Sequence, residues 1–79
     1  MKIRVLYFAS LRDAAGQAEA VVDSDAADAA ALYAQLQSLH RFALPRERLR
    51  VAVDGAFADW HAPLRDGSEV AFIPPVSGG

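Results

Sequence analysis

Apolar side chains alternate with other residues at the start of the chain, as they do in a β-strand. Ile3, Val5 and Tyr7 occupy every second position, and Leu6 and Phe8 add apolar residues to the opposite face. β-branched and aromatic side chains fit a pleated sheet, and a strand that is apolar on both faces is typical of a sheet interior. The pattern therefore predicts a first strand with a neighbour on each side.

A spacing of three and four residues predicts one long amphipathic helix farther along the chain. Ser24 or Asp25 suits its N-cap, and Asp28 falls in the first turn, where the helix dipole favours an acid. Pro45 prevents continuation of the helix. The apolar face, which we expect to pack on a sheet, consists of Ala29, Leu32, Leu36 and Leu39.

Two shorter elements precede this helix. Ser10, with Asp13 three residues later, matches a capping pattern, and Gly16 suits the end of a short helix. Residues 18–22, AEAVV, favour a second strand. Because this strand follows the first one closely along the chain, we expect the two to form an antiparallel pair.

Turn residues divide the C-terminal half into three further strands. Asp54-Gly55 stands between VAV and AFADW and predicts a two-residue hairpin turn. A second turn at residues 65–67 leads into EVAFI, and Pro74 ends that last strand because proline cannot donate a hydrogen bond to a sheet. The predicted fold class is α+β, a roll in which a four- to five-stranded mixed sheet packs on one main helix.

Length, composition and charge narrow the class of protein. The 79 residues leave room for one small core, so we expect a domain over residues 1–73 and a tail over residues 74–79. With no cysteine and two histidines, a structural metal site is not expected. A formal charge of −2 without a Lys/Arg stripe argues against nucleic acid as a partner. No apolar run approaches the ~20 residues of a membrane span, so we expect a cytoplasmic protein with no membrane partner.

No converging set of catalytic side chains can be recognised. His40 is expected to meet the last carbonyl groups of the long helix, and His61 to lie on the surface. Arg46, Arg48 and Arg50 alternate, which predicts one solvated face at the entry to a strand. The alternative for these arginines is a docking patch for an acidic partner.

The tail has the composition of a presented C-terminus. Pro74 and Pro75 fix the backbone angle φ and direct the chain stiffly away from the sheet, and Val76 and Ser77 follow them. Gly78 and Gly79 have no side chains, so a narrow channel of a partner could admit them. The functional group at the tip is the Gly79 carboxylate. Since a free carboxylate is a poor acyl donor, a partner with ATP would have to activate it.

The sequence resembles a known family over the whole chain. The resemblance is carried by VLYFASLRDAAG near the start and DGSEVAFIPPVSGG at the end. They resemble the small subunits of molybdopterin synthase, which are sulfur carriers with the ubiquitin-like β-grasp fold. The Pro-Pro step before Val-Ser-Gly-Gly makes the resemblance specific, because a terminal Gly-Gly alone is common to all ubiquitin-like carriers. Asp54 departs from the asparagine that the family often has there, in a turn without a functional role.

The resemblance implies a cycle that depends on partner proteins. An E1-like adenylating enzyme would activate Gly79 with ATP, and a sulfurtransferase donor would convert the adenylate into a thiocarboxylate. The tail would then enter the large subunit of the synthase, in a heterotetramer, and give sulfur to cyclic pyranopterin monophosphate. The catalytic groups would belong to the large subunit, and this chain would bind no cofactor of its own.

The resemblance also implies a docking face for the large subunit. Phe8, Phe57 and Ile73 match family positions that pack against that subunit, and all three are apolar here. Core packing is the alternative role for them, and Phe57 is the strongest candidate for the interface because surplus exposed apolar surface usually marks one. Three other functions remain open: a sulfur carrier for thiamine, cysteine or tRNA thiolation, a modifier attached to lysines, and an interaction domain with an inert tail.

Overall fold

The computed structural model describes residues 1–75, and the predicted order of strands and helices is confirmed. Val76, Ser77, Gly78 and Gly79 lie outside the described residues. A 3₁₀ turn, Arg46–Arg48, precedes the third strand. The strands and helices are β1 (Lys2–Tyr7), α1 (Ala9–Ala15), β2 (Glu19–Asp23), α2 (Ala29–His40), β3 (Arg50–Val53), β4 (Ala56–Ala58) and β5 (Glu69–Ile73).

The five strands form one mixed sheet in the order β2-β1-β5-β3-β4. β1 pairs with β2 in antiparallel and with β5 in parallel orientation, so the first strand has a neighbour on each side as predicted. β3 pairs antiparallel with both β4 and β5. The mixed sheet on one long helix confirms the α+β roll.

The core lies between α2 and one face of the sheet. From β1, Ile3, Val5 and Tyr7 are buried there, and Leu32 and Leu36 of α2 are fully buried opposite them. The other face of β1 is more open than its apolar residues suggest, because Arg4 is exposed and Leu6 only half-buried. The remaining buried apolar residues include Leu11, Tyr33, Phe42, Leu49, Val51, Val70 and Phe72.

The start of α2 differs from the prediction. Its N-cap is Asp28, whose Oδ1 accepts a hydrogen bond from the Ala31 N–H at 2.8 Å, so the assignment to Ser24 or Asp25 is wrong. Ser24 is buried in the preceding loop instead. Its hydroxyl accepts from the Ala26 N–H at 3.0 Å and donates to Gln35 Oε1 at 2.6 Å. The hydroxyl is therefore fully engaged four residues before the helix cap.

The assignment of Leu39 to the core is also wrong, because its side chain is 68% exposed. The buried stripe of α2 instead runs through Tyr33 and Leu36, and the half-buried His40 follows, with its ring at a centroid distance of 5.7 Å from Tyr7. After the helix ends, Phe42 folds back and stacks on Tyr33 at 5.9 Å. These aromatic rings cover the end of the core, so Leu39 is left on the margin that faces solvent.

Two other local predictions fail and two hold. Ser10 does not cap α1: the N-cap is Phe8, without a side-chain hydrogen bond. Arg46 and Arg48 belong to the 3₁₀ turn rather than to a strand entry. Gly16 ends α1 with φ of 76°, as predicted. Asp54 has φ of 51° and the following glycine 88°, which are the left-handed angles of the predicted hairpin turn.

None of the helices within residues 1–75 has the length and apolar character needed to cross a membrane.

Two of the leucines of α2 give a matched test of this core. Leu36→Ala removes a fully buried side chain and should lower the free energy of unfolding by about 2–5 kcal/mol. Leu39→Ala removes an exposed one and should change it by less than about 0.5 kcal/mol. Urea denaturation of both variants measures the difference. Equal decreases in the free energy of unfolding for the two variants would mean that α2 buries a different face.

The Asp28 cap predicts a pH dependence of stability. Hydrogen bonding from the Ala31 N–H, with a smaller contribution from His61, holds the pKa of Asp28 below its ordinary value. The charge therefore stabilises the fold above the unfolded pKa of about 3.9, and this contribution is lost as the pH falls through the lower folded pKa. Asp28→Ala should melt below the wild type at pH 7, and the gap should shrink in acid. Asp28→Asn keeps a capping side chain without the charge, so it is the control that should lack the pH-dependent contribution to stability. A melting-temperature difference between Asp28→Ala and the wild type that stays the same in acid would contradict the cap.

Candidate docking surface at the base of the C-terminal tail

The tail leaves the sheet between two exposed phenylalanines. β1 and β5 run parallel, with Tyr7 opposite Phe72, so the residues that follow both strands emerge at the same edge. Phe8 therefore lies beside the start of the tail. On the other side of β5, Arg50 of β3 is opposite Ile73, and Phe57 of β4 is opposite Ala52. The sheet order thus brings three strands and the start of α1 around the tail base.

Two grooves flank the tail base. The first has a volume of about 550 Å³, and the second about 320 Å³. Ile73, Pro74 and Pro75 line both grooves and form the ridge between them. Phe8 and Leu44 contribute apolar walls to the first, and Arg48, Arg50 and Phe57 complete the second.

The three residues predicted to dock on a partner meet at this ridge. Phe8 is 44% exposed and Phe57 60% exposed, while Ile73 is half-buried. The structure therefore excludes full core burial for all three, which was the alternative role. Their contact with a partner subunit stays a prediction.

Phe8 follows the buried Tyr7 in extended backbone, so its side chain lies on the opposite, exposed face. Phe8 is extended, with φ of −126°, and Ala9 follows with φ of 51° in the left-handed region. A non-glycine residue in that region costs on the order of 1 kcal/mol, so the surrounding structure must hold the bend in place. Ala9 also lines the first groove. No feature of the sequence indicated this bend, because alanine gives no signal for positive φ.

Hydrogen bonds fix the apolar wall formed by Leu44. The Tyr33 hydroxyl donates to the Leu44 carbonyl at 2.5 Å, and Gln37 Nε2 donates to the same oxygen at 3.3 Å. Burial raises the pKa of Tyr33, which keeps the phenol protonated as a donor at neutral pH. The segment between α2 and the 3₁₀ turn is thereby attached to the helix, and the first groove has a fixed outer wall.

The second groove is positively charged. The guanidinium carbon of Arg50 lies 3.8 Å from the centre of the Phe57 ring, which is a cation–π contact. Arg48 lines the same groove, and both arginines are exposed. Arg50 covers part of one phenylalanine face and leaves an apolar ring edge beside a fixed positive charge. Such a surface can accept an apolar anchor and an acidic side chain together.

The histidines do not join this surface. His61 lies near the start of α2, with Nδ1 3.5 Å from Asp28 Oδ2, and His40 packs on Tyr7 and Phe42. Within residues 1–75 no three His, Cys, Asp or Glu side chains are grouped so as to hold a metal ion. The predicted roles of Val76, Ser77, Gly78 and Gly79 concern positions outside the described residues.

Comparison with known proteins identifies the family. The profile of the ThiS family matches residues 5–79. The chain belongs to the ThiS family. The names of its curated relatives are more specific than the family name. The chain is 40% identical over 87 aligned residues to the molybdopterin synthase sulfur carrier subunit of Escherichia coli, and the match covers 98% of the chain and 99% of the relative. It is 38% identical to the protein of the same name from Mycobacterium tuberculosis, covering 100% and 99%.

Solved structures support the same fold. SAMP1 from Haloferax volcanii is 27% identical with a TM-score of 0.83, and the match covers both chains completely. The complex of subunits 1 and 2 of molybdopterin-converting factor from Helicobacter pylori contains a chain that is 25% identical, with a TM-score of 0.66 and full coverage of both chains. The ubiquitin of Caldiarchaeum subterraneum, at 18% identity and a TM-score of 0.64 over 100% and 98%, shares the fold.

These comparisons confirm two predictions from the sequence. The resemblance to the small subunits of molybdopterin synthase holds along the full length of the ThiS-family chain. The ubiquitin-like β-grasp fold is confirmed as well.

Proposed function

We propose that this chain is the sulfur carrier subunit of a molybdopterin synthase and that it acts in molybdenum cofactor biosynthesis. The observation that carries the proposal is the 40% identity, over nearly the entire length of both chains, to the Escherichia coli protein of that name. The sequence PPVSGG at the end of the chain supplies the delivery arm that such a role requires.

The chemistry of the carrier resides in the Gly79 carboxylate. An E1-like adenylating enzyme joins this carboxylate to AMP, using ATP, and releases pyrophosphate. A sulfurtransferase donor then replaces the AMP with sulfur, which gives a thiocarboxylate. The thiocarboxylate delivers its sulfur to cyclic pyranopterin monophosphate. The chain contributes the acyl group and the arm, and the large subunit contributes the catalytic side chains.

The surface around the tail base is the proposed docking site for the large subunit. Phe8 and Phe57 provide two exposed apolar anchors, one on each side of Ile73, so a partner that grips both also holds the tail between them. The similarity to a chain of the Helicobacter pylori complex of subunits 1 and 2 supports this assembly. Two small and two large subunits would form a heterotetramer in the cytoplasm.

A second candidate function is covalent modification of other proteins. The high similarity to SAMP1, a small archaeal modifier protein, supports it. A modifier would use the same activated Gly79 but would transfer it to lysine side chains. The two functions differ in a direct observation, because a modifier leaves a ladder of conjugates in cell extracts and a sulfur carrier does not. Carriers for thiamine, cysteine or tRNA thiolation would be distinguished by the genes beside this one.

Two exposed apolar residues give a matched test of the docking site. Phe57→Ala should weaken binding to the large subunit by about 2 kcal/mol, or roughly 30-fold in Kd, because truncating a central apolar anchor has this effect. Leu39→Ala removes a side chain of similar exposure that does not line either groove, and it should leave Kd unchanged. Calorimetric titration of each folded variant with the large subunit measures Kd. Equal Kd values for Phe57→Ala and wild type would place the interface elsewhere.

The length of the tail gives a second test. Deleting Gly79 should leave the melting temperature unchanged, because the last strand ends at Ile73. It should abolish thiocarboxylate formation, because the new carboxylate falls about 3.5 Å short of its position, against a tolerance of about 0.5 Å for positioned chemistry. Gly78→Val should also abolish thiocarboxylate formation, since a β-branched side chain restricts the backbone.

Each tail variant is incubated with the adenylating enzyme, ATP and a sulfur source, and its intact mass is measured. The wild type should exchange one oxygen for one sulfur. The same exchange on the Gly79-deleted protein would overturn the proposed function.

A further inference from the structure

The chain is almost free of lysine. Eight residues are lysine or arginine, and all of them except Lys2 are arginine. The two side chains carry the same charge at neutral pH but differ as nucleophiles. A lysine amine loses its proton near pH 10.4 and then attacks acyl groups, whereas a guanidinium stays protonated and does not. The chain also has no cysteine, so amines are the groups that could form a stable amide with its own activated C-terminus.

Lys2 lies at the end of the sheet that is farthest from the tail. Its carbonyl accepts a hydrogen bond from the Gly67 N–H at 2.8 Å, before β5 begins. From Gly67 to Pro75 the chain runs about 26 Å at ~3.3 Å per residue. Residues 76–79 can extend at most about 14 Å from Pro75, and a lysine side chain adds about 6 Å. The terminal carbonyl could therefore approach Lys2 only if residues 76–79 turned back along the length of the sheet.

The Lys2 ammonium is also occupied. Its Nζ lies 2.7 Å from Asp23 Oδ2 in an exposed ion pair, and this contact lowers the pKa of Asp23. The α-amino group of Met1 lies at the same end of the sheet and donates to the Ser24 carbonyl at 3.1 Å. Both amines are thus far from the tail base and engaged in hydrogen bonds.

The cations beside the tail are arginines. Arg50 is paired with Ile73 across the β3–β5 ladder, and Arg48 lies in the same groove as Pro74 and Pro75. Both side chains are exposed, so no packing requirement selects arginine over lysine at Arg48. A lysine here would place an amine within reach of an activated carbonyl at the end of residues 76–79.

We infer that arginine in place of lysine around the tail base protects the activated C-terminus against the chain's own amines and so reserves it for transfer to a partner. The inference rests on the proposed activation of Gly79. The reaction that is avoided is aminolysis. The amine lone pair attacks the Gly79 carbonyl carbon, a C–N bond forms, the bond to AMP breaks and AMP leaves with the electron pair. The amine proton passes to solvent, and the product is an internal amide that can no longer carry sulfur.

A thioester at Gly79 tests this without any pathway enzyme. The protein is produced as an intein fusion and released with a small thiol, which leaves an activated carbonyl like that of the adenylate. Four proteins are compared. They are the wild type, Arg48→Lys and Arg50→Lys beside the tail, and Arg65→Lys in the exposed turn before β5, at the end where Lys2 lies. Thermal melts show that each protein is folded.

The inference predicts that Arg48→Lys loses its thioester much faster than the wild type. At about 10 µM protein, an effective concentration on the order of 1 mM for an amine on a short flexible connection favours internal aminolysis over attack by an amine of another molecule by about 100-fold. The product should be an internal amide between residues 48 and 79, located by peptide mapping. Arg65→Lys should decay at the wild-type rate.

A thioester that is equally stable in Arg48→Lys, Arg50→Lys and wild type would overturn the inference. Rapid amide formation at Lys2 in the wild type would overturn it too, because the geometric separation would then be ineffective. Neither result depends on whether the adenylating enzyme accepts this chain, so the inference and the proposed function can fail separately.

Discussion

β1 and β5 lie at opposite ends of the chain, yet they run side by side in the same direction, with Val5 opposite Val70 and Tyr7 opposite Phe72. A parallel pair cannot be closed by a tight turn, so the chain between the two strands must cross over the sheet. It does so mainly through α2, which covers the face where these four side chains are buried. The ladder thereby forms the centre of the core and fixes where the chain leaves it.

The same pairing explains why the candidate docking surface is compact although its residues are distant in sequence. Parallel strands end at the same edge, so Phe8 after β1 and Pro74 after β5 become neighbours. β3 pairs with the opposite side of β5 and brings Arg50 to Ile73. Phe57 on the adjoining β4 lies under the Arg50 guanidinium. One parallel and two antiparallel ladders thus place an exposed apolar residue on each side of the base of the tail.

Much of this fold could be predicted from local patterns. Alternation identified β1, the spacing of leucines identified α2, and Asp54-Gly55 identified the hairpin because few other residues accept its left-handed angles. The predictions that failed concern residues whose position depends on tertiary contacts. Leu39 fits the apolar spacing but lies beyond the aromatic cover formed by Phe42. Ser24 has the right chemistry for a cap, but its hydroxyl is engaged in the loop before α2.

The candidate docking surface could be predicted from the sequence only in part. The resemblance pointed to Phe8, Phe57 and Ile73, but their convergence on one ridge depends on strand order, which the sequence pattern does not determine. The bend at Ala9 and the groove wall at Leu44 had no sequence signal, because each depends on contacts with distant segments. The proposed role of the terminal glycines, in contrast, rests on the sequence alone, since their lack of side chains is the relevant property.

The central claim is that the Gly79 carboxylate carries sulfur in the cell. The most direct measurement is the intact mass of the protein purified from its native cells, followed by fragmentation to locate any change. We expect a fraction of molecules in which one oxygen is replaced by sulfur, with the replacement confined to Gly79. Molecules that carry only an unchanged carboxylate, together with others joined through Gly79 to lysines of different proteins, would contradict it.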